Sequence, residues 1–180
     1  MPKHQESAKK LVTLIDTIDL DFTIISLTET WLQEYNHDLY EMEGFTHISQ
    51  TRQNKTGGGV SLFIRNNVNF IIRDDLNCNT IDSQFLWVEL PSSDIQSETN
   101  MIVGVIYRRP GSNIEIFNEK LSEILHKIKL EKKECQHAGD YNIDLLKTDS
   151  HPQSNEFILT NFSNSFIPQI SKPTRVTNFR

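Results

Sequence analysis

Between Val60 and Tyr107 the chain sets four short runs rich in β-branched and aromatic residues: VSLFIR (60–65), NFIIR (69–73), FLWVEL (85–90) and MIVGVIY (101–107). Such runs, bounded by turn-forming residues, read as strands, and their short polar connections favour a sheet that is at least partly antiparallel. VSLFIR and NFIIR are placed to form a hairpin around Asn66 and Asn67, while PSSDIQSETN (91–100) reads as a turn or loop. Upstream, Leu11, Leu14, Ile15 and Ile18 recur at helical spacing and predict an amphipathic helix over Gln5–Leu20, feeding a strand at FTIISL (22–27). Downstream, Ser112 and Glu115 form a capping-box pattern ahead of Phe117, Leu121, Leu125 and Ile128, the signature of a helix. A strand at ECQHAGD (134–140), unusually polar for a buried one, and a helix at EFILTNFSNSF (156–166) follow. IPQISKPTRVTNFR closes the sequence as an extended tail. The long polar stretch before Val60 carries few periodic signals. Helices and strands mixed in this order imply layered α and β structure.

The 180 residues suit one domain with a substantial core, and 37% hydrophobic against 23% charged residues is a globular balance. No apolar run approaches bilayer length, and the start MPKHQESAKK is too polar for a secretory signal, so an intracellular protein, nuclear or cytoplasmic, is expected. Cys78 and Cys135 are far apart and lack metal-ribbon spacing, which predicts free thiols. A net charge of −6 argues against a broadly basic nucleic-acid surface. Local basic patches or a bound divalent cation can still attract a polyanion.

Glu29 stands just after the apolar run FTIISL, and Asp140 just after the strand that precedes it. Ligand sites in layered α/β folds gather at such strand ends. Two carboxylates there suit a hard cation such as Mg²⁺, with Asn142 able to orient a phosphate or a second carboxylate. The alternative is that Asp140, beside a glycine, is a turn residue. Tyr107 ends a third strand, and Arg108 and Arg109 after it have the chemistry to hold phosphate oxygens; alternatively they are a solvated pair. Trp31 and Trp87 lie in or beside apolar runs and are expected in the core, base stacking being the other reading. The glycines at 57–59 lack a following Gly-Lys-Ser/Thr, so they read as a close entry into the next strand rather than a phosphate loop. His137 reads as a strand or turn residue rather than a base.

In order along the chain, SLTETWL, GGGVSLFI, VGVIYRRPGS, GDYNIDLL and PTRVTN together resemble the endonuclease/exonuclease/phosphatase family, most closely the endonuclease domain of non-LTR retrotransposons. The resemblance implies an α/β (α+β) fold: a four-layered α/β sandwich of two packed mixed β-sheets with helices outside, incomplete at the termini. It implies that residues 1–180 form a single domain lacking the family's usual first strand and last C-terminal strands. By that likeness Glu29 is the metal-binding glutamate, and Asp140 orients or deprotonates the attacking water. Asn142 contacts the phosphate and Tyr107 stands near the scissile bond, with Arg108, Thr174 and Arg175 on the substrate side. The implied activity is Mg²⁺-dependent (Mn²⁺ also suiting) nicking of DNA, with a reverse transcriptase as partner in a parent polyprotein and no membrane partner. Truncation is expected to impair it. The alternatives are a non-catalytic retrotransposon-derived remnant that binds nucleic acid or protein, and a phosphoesterase for small substrates.

Overall fold

VSLFIR forms the centre of one sheet rather than half of a hairpin with NFIIR. In the computed structural model, which describes residues 10–15, 17–18, 20–33, 41–51, 57–170 and 174, strand β1 (Ile24–Thr28) and strand β2 (Phe45–Gln50) flank strand β3 (Val60–Arg65). Both pairings are antiparallel, in the order β1-β3-β2. The turn at Asn66–Asn67 instead carries the chain out of this sheet. Strand β4 (Ile71–Ile72) pairs with strand β6 (Ser83–Leu90) in a second sheet, as does strand β5 (Cys78–Asn79). Strand β6 runs antiparallel to strand β7 (Met101–Arg108), and β7 runs parallel to strand β8 (Glu134–Asp140). Only this second sheet is mixed; the first is wholly antiparallel.

The chain divides into two compact units: Met1–Arg109 with Lys133–Tyr141, and Pro110–Lys132 with Asn142–Arg180. In the first, the two sheets pack face to face. Val60, Leu62 and Ile64 of β3 meet Leu86, Val88 and Leu90 of β6 and Val105 and Tyr107 of β7 in one buried cluster. Each such side chain taken from water contributes about 1.5–3 kcal/mol. Alternation along β3 turns Phe63 to the opposite face, where Ile25 and Met42 join it. Leu11, Val12 and Ile15 of the helical stretch at 10–15 pack there, adding a helical layer. The remainder of the helix expected over Gln5–Leu20 includes residues 5–9, 16 and 19, outside the described set.

Every residue of β6 is buried, polar ones included. Glu89 is therefore committed to partners: Arg73 Nη1 and Lys133 Nζ each lie 2.8 Å from its carboxylate, and Asn100 Nδ2 donates to it at 2.8 Å. On β7, Gly104 leaves room for the Trp87 ring, which a Cβ at that position would strike. Strand β8 owes its polar sequence to its place at one end of the sheet order, where it alternates exposed and half-buried residues.

Strand β2 was hidden in the polar stretch before Val60. FTHISQ is only half-buried, and its polar His47 is accommodated by a hydrogen bond to Ser61 (3.0 Å) and a stack on Phe63 (4.3 Å). Segment 91–100, expected as loop, contains a single helical turn α1 (Ser92–Ile95).

The second unit carries helix α2 (Ile114–Glu131) and helix α3 (Pro152–Ser163), with a short 3₁₀ turn at Leu145–Lys147. The cap of α2 is Asn113, not the expected Ser112. The Asn113 side chain accepts from the backbone N–H groups of Glu115 and Ile116, satisfying donors the helix itself leaves orphaned. Phe117 stacks on Phe157 at 6.4 Å, Asn118 donates to the Gln153 carbonyl and Lys129 to that of Ser163, joining the two helices. The tail from Ile167 to Ile170 is irregular and exposed. Among the described residues no helix is long and apolar enough to cross a membrane.

Candidate active site

Strands β1, β7 and β8 each deliver one expected residue at their C-terminal ends. Glu29 follows β1, Tyr107 lies one residue before the end of β7, and Asp140 closes β8. Because β7 and β8 are parallel and in register, Tyr107 and Asp140 are direct neighbours across the sheet. The Tyr107 ring is buried between the sheets, 4% exposed, and its hydroxyl donates to Glu29 Oε1 at 2.9 Å. That one hydrogen bond ties the end of the first sheet to the end of the second.

The turn that presents Glu29 is strained. Both Glu29 (φ 53°) and Trp31 (φ 56°) adopt the left-handed conformation that L-residues avoid. Each such residue costs on the order of 1–3 kcal/mol and persists only where its surroundings impose it. Here the glycine run imposes it: Trp31 N–H donates to the Gly58 carbonyl at 2.8 Å and Thr30 N–H to that of Gly59 at 3.3 Å. Gly59 (φ +92°) must be glycine, since a Cβ there would collide with Thr30 Oγ1. Its own N–H is held at 2.7 Å by Oε1 of the buried Gln84, which faces Tyr107 in the β6–β7 register. The glycines thus serve the close approach expected of them, and the approach braces Glu29. Gln84 went unnoticed because it sits one residue outside the apolar run FLWVEL; an amide at the edge of a buried strand was the only signal.

At the other carboxylate, Gly139 precedes Asp140 for a similar reason. A side chain there would run into the Ile106 backbone of β7. Arg108 is buried, 5% exposed, and its Nε donates to the Tyr141 carbonyl at 2.7 Å, bracing the chain as it leaves β8. Burial lowers the proton affinity of this guanidinium, while the neighbouring charge of Asp140 works in the opposite sense. Arg109 is half exposed and faces Asp82 at 3.6 Å. Burial, with a smaller contribution from Cys135, pushes the Tyr141 phenol well above the ordinary tyrosine range, so it stays protonated beside His137 Nδ1, 2.6 Å away. His137 also meets Trp87 edge-on at 6.0 Å, in keeping with a strand residue.

Asn142 opens the second unit two residues along the chain from Asp140 and is itself left-handed, φ 49°. Thr174 is exposed, and Arg175 lies outside the described residues. Neither Cys78 nor Cys135 is in a disulfide, as expected. The two tryptophans part company: Trp87 is fully buried, whereas Trp31, expected in the core, sits on the strained turn and is 48% exposed. Among the described residues no three or more His, Cys, Asp or Glu side chains cluster as a ready-made metal cage.

No protein-family model and no curated protein sequence matches this chain. Solved structures do. The human Nocturnin catalytic domain with bound sulfate superposes with a TM-score of 0.52 at 15% identity, covering 82% of this chain. The catalytic domain of Xenopus laevis APE2 gives 0.51 at 14%, covering 89% of this chain. Two Bacteroides thetaiotaomicron proteins are similar in the same degree: a mannosyl-6-phosphatase (0.51, 15%, 88% of this chain) and an endonuclease/exonuclease/phosphatase family protein (0.50, 12%, 88% of this chain). The chain spans 60–64% of the length of these four structures. With its two packed sheets and its helices, the chain has the fold of these endonuclease/exonuclease/phosphatase structures.

Proposed function

We propose that this chain is a divalent-metal-dependent phosphodiesterase that nicks DNA, of the kind carried by non-LTR retrotransposons. The observation that carries the reading is the Tyr107–Glu29 hydrogen bond, with Asp140 beside Tyr107 in register. The donor set is all oxygen, and it fits Mg²⁺ or Mn²⁺, which bind through one or two carboxylates and leave the remaining positions to water and phosphate oxygens. Glu29 would hold the ion; when bound, it supplies positive charge against the phosphoryl oxygens as charge builds there.

The chain's own groups do the rest. The Tyr107 phenol fixes which way the Glu29 carboxylate faces. Asp140 orients the attacking water and accepts its proton as the P–O3′ bond breaks, and the departing 3′ oxygen takes a proton from solvent. By the family likeness Asn142 contacts the phosphate. Arg108 acts on this end of β8 through the Tyr141 carbonyl. By the same likeness Thr174 and Arg175 are assigned to DNA binding, and a reverse transcriptase would extend the 3′ hydroxyl. A monoester phosphatase is the second reading, favoured by the similarity to the mannosyl-6-phosphatase.

Supercoiled plasmid incubated with the protein and Mg²⁺ tests the proposal. Open-circular product is expected, lost on chelation and reduced at least roughly 100-fold in Asp140→Ala and Glu29→Gln. Equal nicking by Asp140→Ala removes that residue from the chemistry. Preference for p-nitrophenyl phosphate over its bis ester moves the assignment to the phosphatase, and no turnover of any of the three leaves a binding protein.

A further inference from the structure

Trp31 stands two residues from Glu29 on the same strained turn. Its backbone N–H is fastened to the Gly58 carbonyl, and the edge of its ring lies 3.8 Å from where a Cβ on Gly57 would be. Trp31 is 48% exposed. Isolated surface aromatics are ordinary, but they are seldom held in a left-handed backbone conformation next to a candidate metal ligand. A Cβ at 57 would make only ordinary contact with the ring, so the φ of +98° is what favours glycine there.

We propose that Trp31 is a substrate-positioning residue that stacks on an unpaired nucleobase flanking the phosphate held at Glu29. The inference rests on the nuclease reading above. Every base offers a π-face, so an indole at this position grips nucleic acid without regard to sequence. The chain's charge gives such an uncharged contact weight. With 24 acidic against 18 basic residues, the protein as a whole repels a polyanion, so affinity has to come from local contacts around the cation.

The chain supplies its own reporter. It contains two tryptophans, and Trp87 is completely buried, so changes in indole emission on adding ligand report on Trp31. A short single-stranded oligodeoxythymidylate, titrated in the presence of Mg²⁺, is expected to quench that emission, and an abasic strand of equal length is not. Binding of a labelled oligodeoxythymidylate, followed by anisotropy, is expected to weaken roughly tenfold in Trp31→Ala and to stay within about threefold of wild type in Trp31→Phe, which still stacks. Equal quenching by the abasic strand overturns the proposal. So does unchanged affinity in Trp31→Ala, and in that case oligonucleotide binding and plasmid nicking by the wild type leave the nuclease reading standing. If no oligonucleotide binds at all, the nuclease reading fails and the role of Trp31 falls with it.

Discussion

The Tyr107 hydroxyl donates to Glu29 Oε1 across 2.9 Å, joining residues 78 apart in sequence and two different sheets. Tyr107→Phe deletes this bond and leaves the buried ring in place. Folding stability should change by only about 1 kcal/mol, the net value of one hydrogen bond. Under the proposed reaction, nicking should fall by roughly 10- to 100-fold, because the carboxylate assigned to the ion loses its fixed orientation. Single-turnover nicking and urea unfolding on the same preparations separate the two effects; a rate equal to wild type would show that the phenol is packing alone.

Glu89 predicts how the fold responds to acid. Burial disfavours its charge, but the Lys133 hydrogen bond, the Asn100 amide, the Lys133 charge and Arg73 together outweigh burial and hold the carboxyl below its ordinary range. A depressed folded-state pKa contributes stability above the unfolded glutamate value, and that contribution is lost as pH falls through the folded value. Glu89→Gln, which leaves Arg73 and Lys133 without their shared anion, should cost about 2–4 kcal/mol at pH 7. The gap between variant and wild type should narrow below about pH 4. Denaturant titrations at pH 7 and pH 3 check both the size and the sign.

Gly139 sets the spacing of β7 and β8 at the candidate site. Gly139→Ala would drive a methyl group into the Ile106 backbone, so the strands must separate where Tyr107 and Asp140 are neighbours. A loss of more than about 2 kcal/mol is expected, with nicking impaired alongside it. Gly111→Ala meets open space and suffers only from its φ of +76°, so it should cost about 1 kcal/mol. Similar midpoints for the two variants would show that the strands have slack.

What could be read from the residues alone follows from where their partners lie. Runs buried on both faces, such as those in β3, β6 and β7, announce themselves by composition, and α2 by its apolar spacing. Strand β2 did not, because it is half-buried and His47 needs Ser61 and Phe63 to make it intelligible. The supposed hairpin at 60–73 failed because period-two alternation shows that two segments are strands, not which sheet each will join. Ser112 and Asn113 are both good caps, and only geometry selects the second. At the candidate site, Glu29 and Asp140 were visible as carboxylates at strand ends. Gln84 and the glycine-held turn were not, since their roles are contacts between residues distant in the chain.

The parallel pairing of β7 with β8 also bears on the order in which the site comes into being. Antiparallel neighbours can meet as soon as a tight turn is made, but β8 reaches β7 only after residues 109–133, with α2 among them, have been traversed. A nascent chain that has emerged from the ribosome as far as Tyr107 already holds both members of the Glu29–Tyr107 pair. Asp140 joins them only when this long excursion has closed, a step slowed by the entropy of bringing distant segments together. The emerging polypeptide is thereby kept without Asp140 at the candidate site until the second sheet is complete.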